Sequence, residues 1–123
     1  MLEFWSRRLP VICATIIAVM VANLFYLGAQ PIAVGLFPVP WDKLAHAITF
    51  GTLTALWCGV FRARRPWLVL LIVAAIAAAD EIHQIWLPGR SADVADFLAD
   101  MAASGLVLAA LRIHANFRVI RPL

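Results

Sequence analysis

At 123 residues, with 64% hydrophobic and only 14% charged side chains, the chain has too little polar surface to cover an apolar globule, which excludes an ordinary soluble domain. A formal charge of +3 gives no reason to expect a nucleic-acid partner once its distribution is laid out, because the basic residues sort by side of the chain rather than into a patch. Cys13 and Cys58 lack the companion Cys or His spacing of a zinc motif, and their placement toward a reducing face argues against a disulfide.

Four apolar stretches run from Leu9 to Gly28, Leu44 to Phe61, Trp67 to Leu87 and Val94 to Leu111. Each is about 18 to 21 residues long, near the length that crosses ~30 Å of hydrocarbon. The predicted fold is therefore an all-α membrane protein, a four-transmembrane-helix antiparallel bundle forming one domain over residues 1–123. Laid out alternately across a bilayer, the spans put Arg7, Arg8, Arg62, Arg64, Arg65, Arg112, Arg118 and Arg121 on one side, with Glu3. Only Lys43 and Arg90 fall on the other, together with Asp42, Asp80, Glu81, Asp93, Asp96 and Asp100. The positive-inside rule then makes both termini and the 62–65 loop cytoplasmic.

In chain order, a short tail leads to Pro10, expected in the first helical turn where its missing N–H does no harm. A signal peptide is the competing reading of this start, but the apolar run exceeds a usual h-region and Leu27-Gly28-Ala29 is a poor cleavage site. Pro31, Gly35, Pro38 and Pro40 forbid a regular helix and make an outer connecting loop or a re-entrant turn. Asp42 follows as an expected N-cap, with His46 and Phe50 on its helix face. Gly51, Ala55 and Gly59 form a small-residue seam for close helix approach. Arg62, Arg64 and Arg65 make a tight turn closed by Pro66, so the flanking helices are expected to be antiparallel neighbours.

The third span carries a second seam at Ala74 and Ala78, then Asp80 and Glu81 about 10 to 12 Å beneath its outer end, before Pro88-Gly89 stops it. Adjacent helical residues diverge by about 100°, so the two acids are not expected to point into one site equally. The expected functional edge is Glu81 with Gln84, leaving Asp80 or His83 behind it or facing water. On the fourth span Asp93 is expected to cap the helix, while Asp96 and Asp100 lie deeper and need water, a cation or a basic partner. Ala95, Ala99 and Ala103 form another seam. Trp5 and Trp67 suit the inner interface, Trp41 and Trp86 the outer.

Alternating directions bring Asp42, Lys43, His46, Glu81, Gln84, Arg90, Asp96 and Asp100 to similar depth. At these residues the sequence resembles the VanZ-like family, through Asp42-Lys43-Leu44-Ala45-His46, Glu81-Ile82-His83-Gln84, Pro88-Gly89-Arg90-Ser91 and Asp96. Asp100 stands where that family usually has Asn, and Ala103 where it usually has Gly. The resemblance implies a multi-pass protein of the bacterial plasma membrane and cell envelope, with a link to teicoplanin, and hence glycopeptide, resistance.

Three functions compete at this stage. The first is binding or handling of an anionic lipid or lipid-linked envelope precursor at the outer leaflet, with Lys43, Arg90, Gln84 and Ser91 as substrate-binding residues. Because acids outnumber bases there, a divalent cation held by Asp42, His46, Glu81, Asp96 and Asp100 would bridge to the phosphate. The second is a metal-assisted hydrolase of a lipid-linked substrate, with Glu81, Asp96 and His46 as candidate catalytic residues; no nucleophile elbow, HExxH or phosphatase signature supports it, and binding is favoured over catalysis. The third is a structural or accessory subunit in which Lys43 and Arg90 lock the helices together.

Overall fold

The computed structural model describes the backbone of residues 2–120 and the side chains of residues 7–115. Glu3, Trp5, Arg118 and Arg121, assigned above to the inner side, therefore lie outside the described side chains. Among the described residues the chain is all-helical: α1 (Leu2–Gly28), a 3₁₀ turn (Pro31–Ala33), α2 (Trp41–Val60), α3 (Pro66–Ile85) and α4 (Val94–Ile120). Helix α1 begins a full two turns before Pro10, which sits inside the helix rather than at its start. Helix α4 likewise runs past the expected Leu111.

Three segments are long and apolar enough to cross a membrane: Arg7–Gly28, Pro66–Ile85 and Val94–Ala115. Helix α2, the fourth expected span, is diluted by Asp42, Lys43, His46 and three threonines. Its position explains the difference. Helix α2 packs against all three other helices, so much of its surface meets protein, and polar side chains on it find partners there. The bundle is inside out by soluble standards: Val11, Leu71, Ile82, Leu98 and Leu106 are each more than half exposed, a surface that only an apolar solvent tolerates.

Helices α2 and α4, remote in sequence, make the most extensive contact, and they run in the same direction. Lys43 meets Asp96, His46 meets Asp100, and Thr54 meets Ser104, so the pairing advances together along both helices. Thr54 Oγ1 lies 2.8 Å from the Phe50 carbonyl and 2.9 Å from Ser104 Oγ. The Ser104 hydroxyl in turn donates to the Asp100 carbonyl at 2.8 Å, a wholly buried polar link between the two helices. Below it, Ile17, Phe50, Leu53, Cys58, Val69, Val73 and Ala77 form the core.

The 51–59 seam serves two neighbours rather than one. A Cβ on Gly51 would sit at ordinary contact distance from Val107 and Ala103 of α4, whereas one on Gly59 would lie 2.6 Å from Cys13 Sγ of α1. Cys13 and Cys58 are buried free thiols. Gly59→Ala is therefore expected to destabilise by about 1–3 kcal/mol through overpacking. Adding Cys13→Ala should restore most of the loss. Thermal unfolding of the two single variants and the double would show a coupling; strictly additive losses would contradict the contact.

The turn joining α2 to α3 places Arg62 and Ala63 at φ of 52° and 54°. Two successive left-handed residues reverse the chain within four positions and make α2 and α3 the antiparallel neighbours expected from Arg62 to Arg65. At the opposite end, Pro88 and Gly89, the latter at φ 75°, turn α3 toward α4.

Candidate functional site

The polar groups gather at the end of the bundle where α1 and α3 finish and α2 and α4 begin. Each is placed by local structure. Asp93 caps α4 as expected: its Oδ1 accepts from the Ala95 N–H at 2.8 Å. Asp42 does not cap α2. The helix starts one residue earlier, at Trp41, and Asp42 accepts instead from the adjoining Lys43 N–H at 2.8 Å.

Lys43 reaches across to α4, where Nζ donates to Asp93 Oδ2 at 2.9 Å and Asp96 Oδ1 at 2.7 Å, with Asp42 Oδ2 at 3.5 Å. One ammonium thus serves three carboxylates. Lys43, with the Ala95 N–H, holds the Asp93 carboxyl below its ordinary range. Lys43, expected to face a substrate phosphate, is directed to these acids and is not among the residues that line the cavity described below.

One turn deeper, His46 Nδ1 lies 3.2 and 3.3 Å from the two oxygens of Asp100, which is fully buried. His46 Nε2 is 3.8 Å from Asp96 Oδ2. The His46 ring also stacks on Phe50 at 6.1 Å between centroids. Asp100 thus belongs with His46, and Asp96 with Lys43, rather than both standing open to a ligand.

On α3 the expected pairing of Glu81 with Gln84 gives way to another. Gln84 Nε2 donates to Asp80 Oδ2 at 3.1 Å, one full turn back. Glu81 Oε2 instead accepts from the Asp93 N–H at 2.6 Å, while Oε1 is buried without a hydrogen-bond partner. Asp80, Glu81 and Gln84 are all buried. Of Asp80 and His83, either of which was expected behind the site or facing water, Asp80 is instead buried beside Glu81. His46, Asp80 and Glu81 offer donor atoms that all lie within 4.8 Å of one another. Asp42, Asp96 and Asp100, expected as ligands beside His46 and Glu81, are outside this group. His83 packs against Phe25 of α1, 5.2 Å between ring centroids.

Beside this cluster, between α1 and α2 and roofed by residues 32–37, lies a cavity of about 600 Å³. Its wall is apolar, from Met20, Leu24, Leu27, Leu36, Phe37 and Phe50, and its polar edge carries Asn23, Asp42, His46 and Arg90. Arg90 Nη1 donates to the Ala33 carbonyl at 3.0 Å, and its Nε is buried without a partner. Of the expected substrate-binding residues, Arg90 lines the cavity, whereas Gln84 is spent on Asp80 and Ser91 is exposed.

Comparison with curated proteins and with solved structures returns no match. A family model described as VanZ/LLP1 matches residues 5–114. That stretch takes in α2 and α3 whole, most of α1 and α4, and every residue of the polar cluster. With its apolar outer surface and three helices able to cross a membrane, the chain is a membrane protein that belongs to the VanZ/LLP1 family.

Proposed function

We propose that the chain is a multi-pass protein of the bacterial plasma membrane, crossing it four times with both termini cytoplasmic, that binds or handles an anionic lipid or lipid-linked envelope precursor at the outer leaflet. The cavity carries this reading. An apolar wall ending in a polar edge matches an amphiphile, with acyl chain along Leu24, Leu27 and Phe50 and headgroup at His46 and Arg90. Arg90 retains donors for a phosphate because, among the described residues, Ala33 alone engages one of its nitrogens. Helix α2, with 20 residues, is about 30 Å long and supplies the fourth crossing.

Titration of the detergent-solubilised protein with phosphatidylglycerol and phosphatidylcholine of matched chain length, followed by native mass spectrometry, is expected to show preferential retention of the anionic lipid. Equal retention would contradict anion selectivity. Orientation is read separately, from single cysteines at Gly35 and Ala63 in a background lacking Cys13 and Cys58. An impermeant thiol reagent on intact cells is expected to label the first only. Labelling of Ala63 but not Gly35 would reverse the topology.

The resemblance extends the proposal to glycopeptides. Overproduction in a sensitive Gram-positive host is expected to raise the inhibitory concentration of teicoplanin more than that of vancomycin. Unchanged values for both, with the protein present in the membrane, would confine the role to a general envelope function. The grouping of His46 with two carboxylates favours a second reading, metal-assisted hydrolysis of the bound lipid-linked substrate. Release of a free headgroup on incubation distinguishes it from binding alone.

A further inference from the structure

We propose that His46, Asp80 and Glu81 form a site for one first-row divalent cation of zinc or manganese type, whose remaining coordination positions take an oxygen of the cavity's anionic occupant. Three donors from two helices lie within 4.8 Å of one another. With metal bonds of ~2.0–2.2 Å, they need to draw in by roughly an ångström. Two carboxylates neutralise one divalent ion within the donor set, and the Asp100 carboxylate behind His46 leaves the surroundings favourable to a cation.

The surroundings leave these groups to a ligand. Lys43 is held by Asp93 and Asp96, and neither Asp80 nor Glu81 has a basic group at ion-pair distance among the described residues. Glu81 is 8% exposed, yet its Oε1 is buried and accepts no hydrogen bond. An orphaned acceptor of this kind is costly unless something satisfies it. Gln84 orients Asp80 at 3.1 Å, and the Asp93 N–H holds the other Glu81 oxygen. An ionised Asp100 can only accept, which keeps the proton on His46 Nδ1; Nε2, 3.8 Å from Asp96 Oδ2 and so beyond hydrogen-bond distance of it, then carries the lone pair a metal needs, the arrangement that outer carboxylates impose on metal-binding imidazoles. The nitrogen donor selects against magnesium and calcium, which prefer oxygen. His46 also lines the cavity, so an ion there adjoins the space assigned to the lipid.

The proposal rests on the lipid reading only for what fills the open positions, and the test is done without lipid. The full-length protein in neutral detergent, stripped with EDTA, is titrated calorimetrically with zinc, manganese, magnesium and calcium chlorides. One equivalent of zinc or manganese is expected to bind at about 10 μM or tighter, with magnesium and calcium at least tenfold weaker. Asp80→Asn and Glu81→Gln should each weaken binding at least tenfold. Electron spin echo modulation of the manganese-loaded wild type, which does not depend on the variants folding, should show coupling to one imidazole nitrogen. No ion bound more tightly than about 1 mM, absence of nitrogen coupling, or wild-type affinity in both folded variants would each overturn the site. Ion binding without lipid retention would instead remove the lipid reading and leave the site standing.

Discussion

Lys43→Met is expected to lower the thermal midpoint of the purified protein more than any other single substitution at this end of the bundle. The ammonium bridges α2 to two carboxylates of α4 and a third on its own helix. Removing it leaves Asp96, whose side chain is 10% exposed, as a buried charge without a cation, and that is the costly way to break an ion pair. The second substitution identifies the cause. Lys43→Met with Asp96→Asn should recover more than half the loss, since the orphaned charge is gone; no recovery would mean that Lys43 acts through packing alone.

The same contacts set a pH dependence. Asp93 is depressed from its ordinary 3.8, so its contribution is present above that value and disappears as pH falls through the lower folded-state value. At higher pH its contribution should be constant. Thermal midpoints of wild type and Lys43→Met should therefore converge on the acid side only below about pH 4; a difference that changes between pH 6 and 8 would contradict the assignment.

The second large effect is expected at Arg90. With Nη1 committed to the Ala33 carbonyl and Nε buried without a partner, its guanidinium is the one permanently charged cation among the described lining residues. Arg90→Gln removes the charge, and its shorter amide ends two bonds short of the Nη1 that reaches Ala33, so the two lipids are compared to separate loss of charge from loss of that roof contact. A charge-assisted hydrogen bond contributes roughly 1.5–3 kcal/mol, so retention of phosphatidylglycerol should fall by about tenfold or more while phosphatidylcholine is unaffected. An equal fall for both lipids would point to collapse of the 32–37 roof instead.

Much of this arrangement was legible in the residues. The apolar runs located all four helices, the Arg62 to Arg65 turn was recognisable from charge and Pro66, and Asp93 read correctly as a cap. Helix starts were less legible, because Pro10 and Asp42 are each compatible with more than one position in a first turn or beyond it. The parallel contact of α2 with α4 was not legible at all. Polar residues at 43, 46 and 54 and at 96, 100 and 104 are a matched pair of stripes, but which helices pack together is a property of three dimensions. Asp80 was undervalued for a related reason. The 100° between neighbouring residues separates Asp80 from Glu81 on a wheel, yet a helix buried by α2 and α4 together presents both to the interior. The i, i+4 spacing of Asp80 and Gln84 was the available signal.

The central claim is that the cavity beside His46 and Arg90 holds an anionic amphiphile, and the direct measurement is mass spectrometry of lipids that remain on the protein after mild purification from its own membrane. The account predicts about one anionic lipid or lipid-linked phosphate per chain, enriched over its abundance in the membrane and largely lost from Arg90→Gln. Recovery of lipids in bulk-membrane proportions, unchanged by that substitution, would contradict it.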